Sequence, residues 1–263
     1  MKATLAGQEL HYLDEGQGPA VVFLHAFPLG LSMWDEQARS FSGEHRVVRF
    51  DCRGFGLSPP EKGPLTMERI ADDACLLMDT LGIEKAILWG CSMGGYAALA
   101  FARRHKGRFL RLVLQDTRGG ADTPEGRERR HRLAREVLRE GSGAAALAFE
   151  GNLLGETTKR EQPALVGWVH ETILANPALG VANALLGLGA RPDSTPSLGE
   201  IDVPTLVVCG SEDVLTPPHE SKALGEAIPR SRVEIIPRAG HLANLEQPAL
   251  VARAFEAFLR EVG

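Results

Sequence analysis

The sequence predicts an α/β fold with a mostly parallel central sheet and helices on both of its faces. Two patterns along the 263 residues support this prediction. Short runs of apolar and β-branched residues alternate with helical stretches, and these runs are apolar almost throughout rather than at every second position. Strands of a parallel sheet have this continuous apolar character, because helices cover them on both faces.

The individual elements follow from the same patterns. The predicted strands are AVVFLH (20–25), RVVRFD (46–51), KAILWGC (85–91), FLRLVLQD (109–116), TLVVCG (205–210) and VEIIP (233–237). Before the first of them, the segment HYLDEGQGP is predicted to be the end of an antiparallel edge hairpin. Helices are expected near 65–82, where the pattern is amphipathic, over the alanine-rich 94–105, and over about 245–261.

Residues 119–196 have a different character from the rest of the chain. They are rich in Arg, Ala, Leu and Gly and contain no convincing strand. Thr123 and Pro124 predict the start of a helix there, because threonine is a good N-cap and proline fits the first helical position. A helical insertion in an α/β sheet predicts a cap over one end of the sheet. We therefore expect a core domain of residues 1–118 and 197–263 and a cap of residues 119–196.

Composition limits the possible partners and location. A hydrophobic content of 44%, a charged content of 24% and a net charge of −5 are ordinary for a globular protein and argue against nucleic acid as a partner. No apolar run approaches the about 20 residues that span a bilayer, and the first residues lack the apolar core of a signal peptide. The four cysteines lack metal-type spacing. We expect a cytoplasmic protein with free thiols, no membrane partner and no bound metal.

The segment WGCSMGGYAA (89–98) joins a predicted strand to a predicted helix and contains the pattern G-x-S-x-G. This is the pattern of a nucleophile elbow, in which a sharp reversal of the chain holds the central residue in a strained conformation. The residues two before and two after it pass too close to the strand and helix for a Cβ atom. Gly90 and Gly94 meet this demand around Ser92. The alternative is a glycine-rich turn that has no catalytic role.

The same reasoning separates Ser92 from the neighbouring Cys91. A nucleophile at Cys91 would need small residues at positions 89 and 93, which hold tryptophan and methionine. The spacing therefore selects serine, and we expect Cys91 to be a buried packing residue.

A serine hydroxyl needs a base to take its proton and a third group to orient that base. Asp213 follows the strand TLVVCG, and His241 follows the strand VEIIP. Functional groups gather at the carboxyl ends of the strands in an open parallel sheet. The sequence therefore predicts that Ser92, Asp213 and His241 meet at this edge.

Several motifs in this order resemble the α/β-hydrolase fold family over essentially the whole chain. The matching segments are HAFP (25–28), DCRGFGLS (51–58), GCSMGG (90–95), GSEDVLTP (210–217) and GH (240–241). Within the family, the chain resembles small cytoplasmic serine esterases, the enol-lactonases of aromatic degradation and cofactor-free perhydrolases, for which HAFPLGLSMW is typical.

The resemblance implies a role for each matching residue. Ser92 would attack the acyl carbon, His241 would act as general base and then general acid, and Asp213 would hold the imidazole and stabilise its cation. The backbone N–H groups of Phe27 and Met93 would form the oxyanion hole, each donating a hydrogen bond to the developing negative charge.

One position departs from the family pattern. The family's first loop has His-Gly, whereas this chain has His25 followed by Ala26. The resemblance implies that His25 braces this loop from below. If the loop required a backbone angle that only glycine adopts, Ala26 would displace the Phe27 amide. We expect Ala26 to be tolerated.

Two alternatives to the role of Asp213 stay open at this point. One is that Asp213 only caps the helix that begins near Pro217. The other is that Asp116, at the end of the preceding strand, supplies the acid, as in some relatives of the family.

The substrate pocket is less well defined by the sequence. We expect Trp34, Trp168 and the leucine-rich stretch 181–189 to contribute to it. The arginine-rich helix at 127–139 is expected to be a solvated face of the cap, and the alternative is that it favours anionic substrates.

The functional prediction is a serine hydrolase that cleaves carboxylic esters of small soluble molecules through an acyl-enzyme, without a metal or organic cofactor. An enol-lactonase, a C–C bond hydrolase or a perhydrolase would share the same three residues. A hypothesis of another class is a ligand-binding or signalling protein that keeps the fold but has little turnover. The sequence gives no indication of the oligomeric state.

Overall fold

The computed structural model describes residues 1–261, and within them one sheet of eight strands forms the centre of the molecule. The strands are β1 (Lys2–Leu5), β2 (Gln8–Glu15), β3 (Ala20–Leu24), β4 (Arg46–Phe50), β5 (Ala86–Cys91), β6 (Phe109–Gln115), β7 (Thr205–Gly210) and β8 (Ser231–Ile236). Their order across the sheet is β1-β2-β4-β3-β5-β6-β7-β8. β2 pairs antiparallel with β1 and β4, and the pairs from β4 to β8 are parallel.

The continuous apolar runs of the sequence are the buried strands of this sheet. Every residue of β3, β5 and β7 is buried. The predicted α/β architecture, the six strands and the antiparallel edge hairpin are confirmed. β8 begins two residues earlier than predicted, because Ser231 and Arg232 already pair with Thr205 and Leu206 of β7.

Helices cover the sheet and fill the insertion. They are α1 (Asp35–Phe41), α2 (Met67–Thr80), α3 (Met93–Arg104), α4 (Pro124–Glu140), α5 (Gly143–Leu153), α6 (Glu156–Glu161), α7 (Pro163–Ala175), α8 (Ala178–Ala190), α9 (Pro218–Ala227), α10 (Ala243–Glu246) and α11 (Pro248–Glu261). Two 3₁₀ helices cover Leu31–Trp34 and Thr195–Glu200. The amphipathic pattern predicted α2 because Ile70, Ala74 and Leu77 recur at helical spacing, and all three are buried.

The insertion between β6 and β7 contains α4 to α8. Thr123 caps α4 as expected, because its hydroxyl accepts a hydrogen bond from the N–H of Gly126 at 3.1 Å, and Pro124 is the first helical residue. The helical character of this stretch is thus observed. Its division from the core as a cap at residues 119–196 stays a prediction.

Buried polar side chains join the insertion to the rest of the chain. The side chain of Asn176 accepts a hydrogen bond from the N–H of Gly56 at 2.8 Å and donates one to the carbonyl of Pro28 at 2.9 Å. The carboxylate of Glu246 accepts hydrogen bonds from the N–H groups of Gly155 and Gly240, each at 2.8 Å. These contacts hold the helical insertion against the loops at the carboxyl ends of the strands.

Over residues 1–261, no single helix is both long and apolar enough to cross a membrane. α7 and α8 reach the required length and composition only as a pair, and the chain bends by 97° at the break between them. The cytoplasmic location stays a prediction of the sequence.

A buried ion pair fastens α2 to the loop after β4. Nε and Nη2 of Arg53 donate to the two carboxylate oxygens of Asp73, each at 2.7 Å. The side chains of Arg53 and Asp73 are 3% and 1% exposed. Removal of Asp73 would break both of these charged hydrogen bonds and leave the buried Arg53 guanidinium with Glu61, at 2.9 Å, as its remaining carboxylate partner.

We therefore expect Asp73→Ala to lower the free energy of unfolding by about 3–5 kcal/mol, measured by urea denaturation. The matched control is Asp79→Ala on the same helix, where the Asp79 side chain is 54% exposed and pairs with Arg108 at 2.7 Å. An exposed pair contributes little, so this control should lose less than about 1 kcal/mol. Equal losses in the two variants would contradict the structural role of the buried pair.

Candidate active site

Ser92 lies between the last residue of β5 and the first residue of α3. Its backbone has φ 52° and ψ −111°, in the region that side-chain-bearing residues rarely adopt. A Cβ atom at Gly90 would lie 2.1 Å from the carbonyl oxygen of Gly94, and a Cβ atom at Gly94 would lie 2.0 Å from that of Leu24. Both glycines are therefore required by close backbone packing, as the G-x-S-x-G spacing predicts. The turn projects Ser92 into a cavity at the carboxyl edge of the sheet.

Cys91 is unsuited to nucleophilic chemistry in this arrangement. It is completely buried, and burial raises the pKa of its thiol well above the ordinary value, with negative carboxylates nearby adding to the effect. Because the thiolate is the reactive form, a thiol in this environment is inert. The four cysteines of the described chain are all free and buried.

The structure brings together the three side chains that the sequence singles out. His241 Nε2 is 2.7 Å from Ser92 Oγ, and His241 Nδ1 is 2.8 Å from Asp213 Oδ2. Ser92 comes from the turn after β5, Asp213 from the loop after β7, and His241 from the loop after β8. In the neutral imidazole, Nδ1–H donates to Asp213 while Nε2 accepts from the serine hydroxyl.

Asp213 is fixed by its own loop. Oδ1 accepts hydrogen bonds from the N–H groups of Leu215 at 2.8 Å and Thr216 at 3.0 Å, and Oδ2 accepts one from the Thr216 hydroxyl at 2.7 Å. α9 begins later, at Pro218, and its N-terminus has no side-chain cap, so Asp213 accepts no hydrogen bond from its first turn. The carboxylate therefore stabilises the loop and faces the imidazole, rather than capping the helix.

The electrostatics of the pair favour a charged Asp213. Burial alone would raise the pKa of Asp213, but the charge of His241 and hydrogen bonds from His241 and Thr216 outweigh it, so the pKa lies below its ordinary value. Burial alone would lower the pKa of His241, but the charge of Asp213 and the hydrogen bond to it outweigh that effect, so the pKa of His241 lies above its ordinary value. The imidazolium is thus stabilised at this position.

Asp116, the alternative acid, occupies a different place. It is completely buried and its oxygens accept hydrogen bonds from the N–H groups of Gly210 at 2.9 Å and Ala243 at 3.1 Å. Burial raises the pKa of Asp116 well above the ordinary value, and the nearby Asp213 raises it further. The side chain therefore joins the loop that carries Asp213 to the loop that carries His241, whereas the hydrogen bond to Nδ1 belongs to Asp213.

Asp116, Cys209 and Asp213 also form the one group of potential metal ligands found among the described residues, with ligand atoms within 4.8 Å of one another. The carboxylates already accept hydrogen bonds from backbone N–H groups, and burial raises the pKa of the Cys209 thiol far above its ordinary value. A protonated thiol is a poor ligand, because metals bind the thiolate. We assign this group a structural role.

Two backbone amides border the serine where an oxyanion would form. Met93 is the first residue of α3, and its N–H is one of the four at a helix start that have no intrahelical acceptor. Phe27, in the loop after β3, lines the same cavity as Ser92. Their predicted use as oxyanion donors is consistent with these positions and stays a prediction.

The loop that carries Phe27 tolerates Ala26. Ala26 is completely buried, its backbone lies outside the left-handed region, and its N–H donates to Met33 Sδ at 3.1 Å. His25 lies beneath the loop: Nδ1 is 3.0 Å from the carbonyl of Ala26, and Nε2 accepts a hydrogen bond from the N–H of Cys52 at 3.0 Å. Burial lowers the pKa of His25, which favours the neutral ring that this bonding requires.

The cavity above Ser92 has a volume of about 80 Å³. It is lined by Phe27, Ser92, Tyr96, Arg118, Arg130, Phe149, Leu153, Leu188, Leu215, Thr216 and His241. It adjoins a second cavity of about 500 Å³, with which it shares Arg118, Arg130, Phe149 and Leu215. A larger cavity of about 570 Å³ is lined by Lys85, Phe109 and Pro204 and contains none of the three residues above.

The prediction that Trp34 and Trp168 line the pocket is wrong. Trp34 is completely buried in the core, with its ring 4.8 Å from that of Phe23 and 5.8 Å from that of Trp89. The 3₁₀ helix that ends at Trp34 packs the indole against these side chains of β3 and β5. Trp168 is half-buried on α7 and packs against the apolar core, outside the cavity of Ser92.

Few of the other residues that line the cavity of Ser92 could be predicted from the sequence. From the stretch 181–189, only Leu188 lines the cavity. Tyr96 lies one helical turn after Ser92, which is a signal that spacing could have given. Phe149 had no such signal, because the direction of a helix in the insertion depends on its tertiary packing.

A family model described as the alpha/beta hydrolase fold matches residues 19–248. The chain belongs to this family. A thermophilic esterase from Thermogutta terrifontis, solved with malate bound, is 42% identical with a TM-score of 0.96, and the match covers 100% of this chain and 98% of that one. The enol-lactonase from Burkholderia xenovorans LB400 is 31% identical with a TM-score of 0.92, and the match covers 99% of this chain and 100% of that one. The curated 3-oxoadipate enol-lactonase 2 of Acinetobacter baylyi is 29% identical, over 98% of this chain and 97% of that protein.

These matches confirm the predicted family and fold. They place the chain among alpha/beta hydrolases whose names include esterase and enol-lactonase.

The geometry of His241 generates a prediction that can be measured without a substrate. Asp213 holds the pKa of His241 above its ordinary value against the effect of burial, so Asp213→Asn should lower that pKa. The titration of the imidazole resonances by NMR gives both values. Glu212→Gln is the matched control, because the neighbouring Glu212 contacts Thr157 at 2.6 Å instead. A pKa that falls equally in both variants, or in neither, would contradict the pairing of His241 with Asp213.

Proposed function

We propose that this protein is a serine hydrolase that cleaves carboxylic esters of small molecules through an acyl-enzyme. The observation that carries the proposal is the unbroken contact from Ser92 Oγ to His241 Nε2 at 2.7 Å and from His241 Nδ1 to Asp213 Oδ2 at 2.8 Å. The likeness of this chain to an esterase and to an enol-lactonase supports the same class of reaction. The expected partner is a small-molecule ester or lactone.

In the first half of the reaction, His241 Nε2 takes the hydroxyl proton as Ser92 Oγ attacks the carbonyl carbon. The carbonyl oxygen becomes an oxyanion, which the N–H groups of Phe27 and Met93 would stabilise. Asp213 holds the ring in the orientation that this transfer requires and stabilises the imidazolium. The tetrahedral intermediate collapses, the protonated His241 gives its proton to the leaving alcohol, and an ester to Ser92 remains.

In the second half, water takes the place of the alcohol. His241 removes a proton from water as its oxygen attacks the acyl carbon, and the same amides stabilise the second oxyanion. Collapse releases the carboxylic acid and returns the proton to Ser92 Oγ. Each step uses only side chains, backbone amides, the substrate and water, and loss of one oxyanion donor would cost about 10²–10³-fold in rate.

Hydrolysis of an enol-lactone is the second candidate. A lactone is a cyclic ester, so the steps are the same and the leaving alcohol stays attached to the acyl chain. The specific support is the likeness to enol-lactonases over nearly the whole chain. A panel of esters, lactones, β-diketones and peroxide acceptors separates these two candidates from C–C hydrolysis and perhydrolysis.

The serine variant tests the proposal. We expect wild type to release p-nitrophenol steadily from its acetate and butyrate esters, and Ser92→Ala to lose about 10³-fold or more in kcat. The fold should be retained, because alanine removes only the hydroxyl; circular dichroism checks this. One stoichiometric burst without turnover would instead favour a binding or signalling protein on this fold.

The acid assignment is tested by a pair of variants. Asp213→Asn should lower kcat by orders of magnitude, because the amide no longer stabilises the imidazolium and favours the wrong tautomer. Asp116→Asn should lower it far less, because Asp116 contacts backbone amides rather than the ring. Near-normal activity of Asp213→Asn together with an inactive, folded Asp116→Asn would overturn the assignment.

A further inference from the structure

Two arginines line the cavity that contains Ser92. Arg118 follows β6, and Arg130 lies on α4. The residues that line this cavity include these two guanidinium groups and no carboxylate. Since the whole chain has a net charge of −5, the positive charge here is a local feature rather than a consequence of composition.

The charge of these arginines is only partly neutralised. Asp122 contacts Arg130 Nε, lies 3.0 Å from Arg118 Nη2, and lies 2.8 Å from Arg191 Nη1. One carboxylate is therefore shared by three guanidinium groups. Glu220 is 3.7 Å from Arg118 Nη1 and is the second carboxylate of the cluster. Three positive charges face two negative ones beside the proposed nucleophile.

The three arginines differ in their contacts with the protein and in whether they line the cavity that contains Ser92. Arg191 is 4% exposed, donates to the carbonyls of Leu188 and Gly120, and lies over the ring of Tyr96 at 4.1 Å. Its position is fixed by protein contacts. Arg118 and Arg191 each have a buried Nε with no hydrogen-bond acceptor among residues 1–261, but only Arg118 lines the cavity that contains Ser92. A buried donor without an acceptor is unusual in a protein interior and needs an explanation, which an anion bound beside the Arg118 guanidinium would supply.

We propose that Arg118 and Arg130 form an anion subsite that selects esters carrying a carboxylate close to the scissile bond. The proposal deepens the proposed function of Ser92 and rests on it. Guanidinium groups present forked N–H donors that match the two oxygens of a carboxylate. Both arginines line the cavity that contains Ser92, so their guanidinium groups lie beside the position of the scissile bond.

Matched substrate pairs measure this selectivity with the same scissile bond in each member. Monomethyl glutarate and methyl 5-methylhexanoate differ in a carboxylate on the acyl side, and acetoxyacetate and isobutyl acetate differ in one on the alcohol side. In at least one pair, wild type should favour the carboxylate member in kcat/KM by about tenfold or more, because hydrogen bonds between charged groups are the stronger ones.

Variants locate the source of the preference. Arg118→Gln should reduce the ratio within that pair by about tenfold, since it removes one guanidinium from the subsite. Asp122 keeps Arg130 and Arg191 as partners in this variant, so the fold should be retained. The matched control is Arg135→Gln on α4, where the Arg135 side chain is 64% exposed, and this variant should leave the ratio unchanged.

Binding to Ser92→Ala provides a readout that does not depend on turnover. The carboxylate member of the preferred pair should bind this variant more tightly than its neutral partner by calorimetry, and Arg118→Gln in the same background should remove the difference. Hydrolysis of neutral esters with no carboxylate preference in either pair would overturn the anion subsite alone. Absence of turnover on every ester would overturn the proposed function, while the calorimetric difference would still decide the subsite.

Discussion

The conformation of Ser92 is the constraint on which the rest of the site depends. A residue with φ 52° between a buried strand and a buried helix persists only if the surrounding packing imposes it. That packing is the contact of Gly90 with the backbone of Gly94 and of Gly94 with Leu24, which leaves no space for side chains. Because of this strained conformation, the Ser92 hydroxyl projects away from the sheet, where loops that follow other strands can contact it.

Two buried acidic side chains, Asp116 and Glu246, hold those loops in place through hydrogen bonds. Asp116 accepts hydrogen bonds from the N–H of Gly210, three residues before Asp213, and from that of Ala243, two residues after His241. Glu246 binds the N–H of Gly240, directly before His241, and that of Gly155 in the helical insertion. One carboxylate thus joins the insertion to the loop that carries the imidazole. The loops that carry Asp213 and His241 are therefore cross-linked by buried hydrogen bonds.

The sequence was sufficient wherever a local rule determines the structure. The strands follow from continuous apolar runs, and Ser92 follows from the spacing of two glycines. It favoured Asp213 but left Asp116 open as an alternative, because both follow strands that end at the same edge and only the distance to Nδ1 separates them. It failed for Trp34, whose direction is set by tertiary packing against Phe23 and Trp89. A preference for anionic substrates was left as an alternative for the arginine-rich helix at 127–139, but only the fold places its Arg130 beside Arg118 and Ser92.

The most direct test of the central claim is labelling with a fluorophosphonate followed by peptide mass spectrometry. If His241 activates the hydroxyl of Ser92, wild type should carry one adduct on that oxygen, and Ser92→Ala should carry none. His241→Ala should label more slowly by about 10³-fold or more, because the base is gone. Folded wild-type protein without an adduct at Ser92, or equal labelling rates with and without His241, would contradict the account.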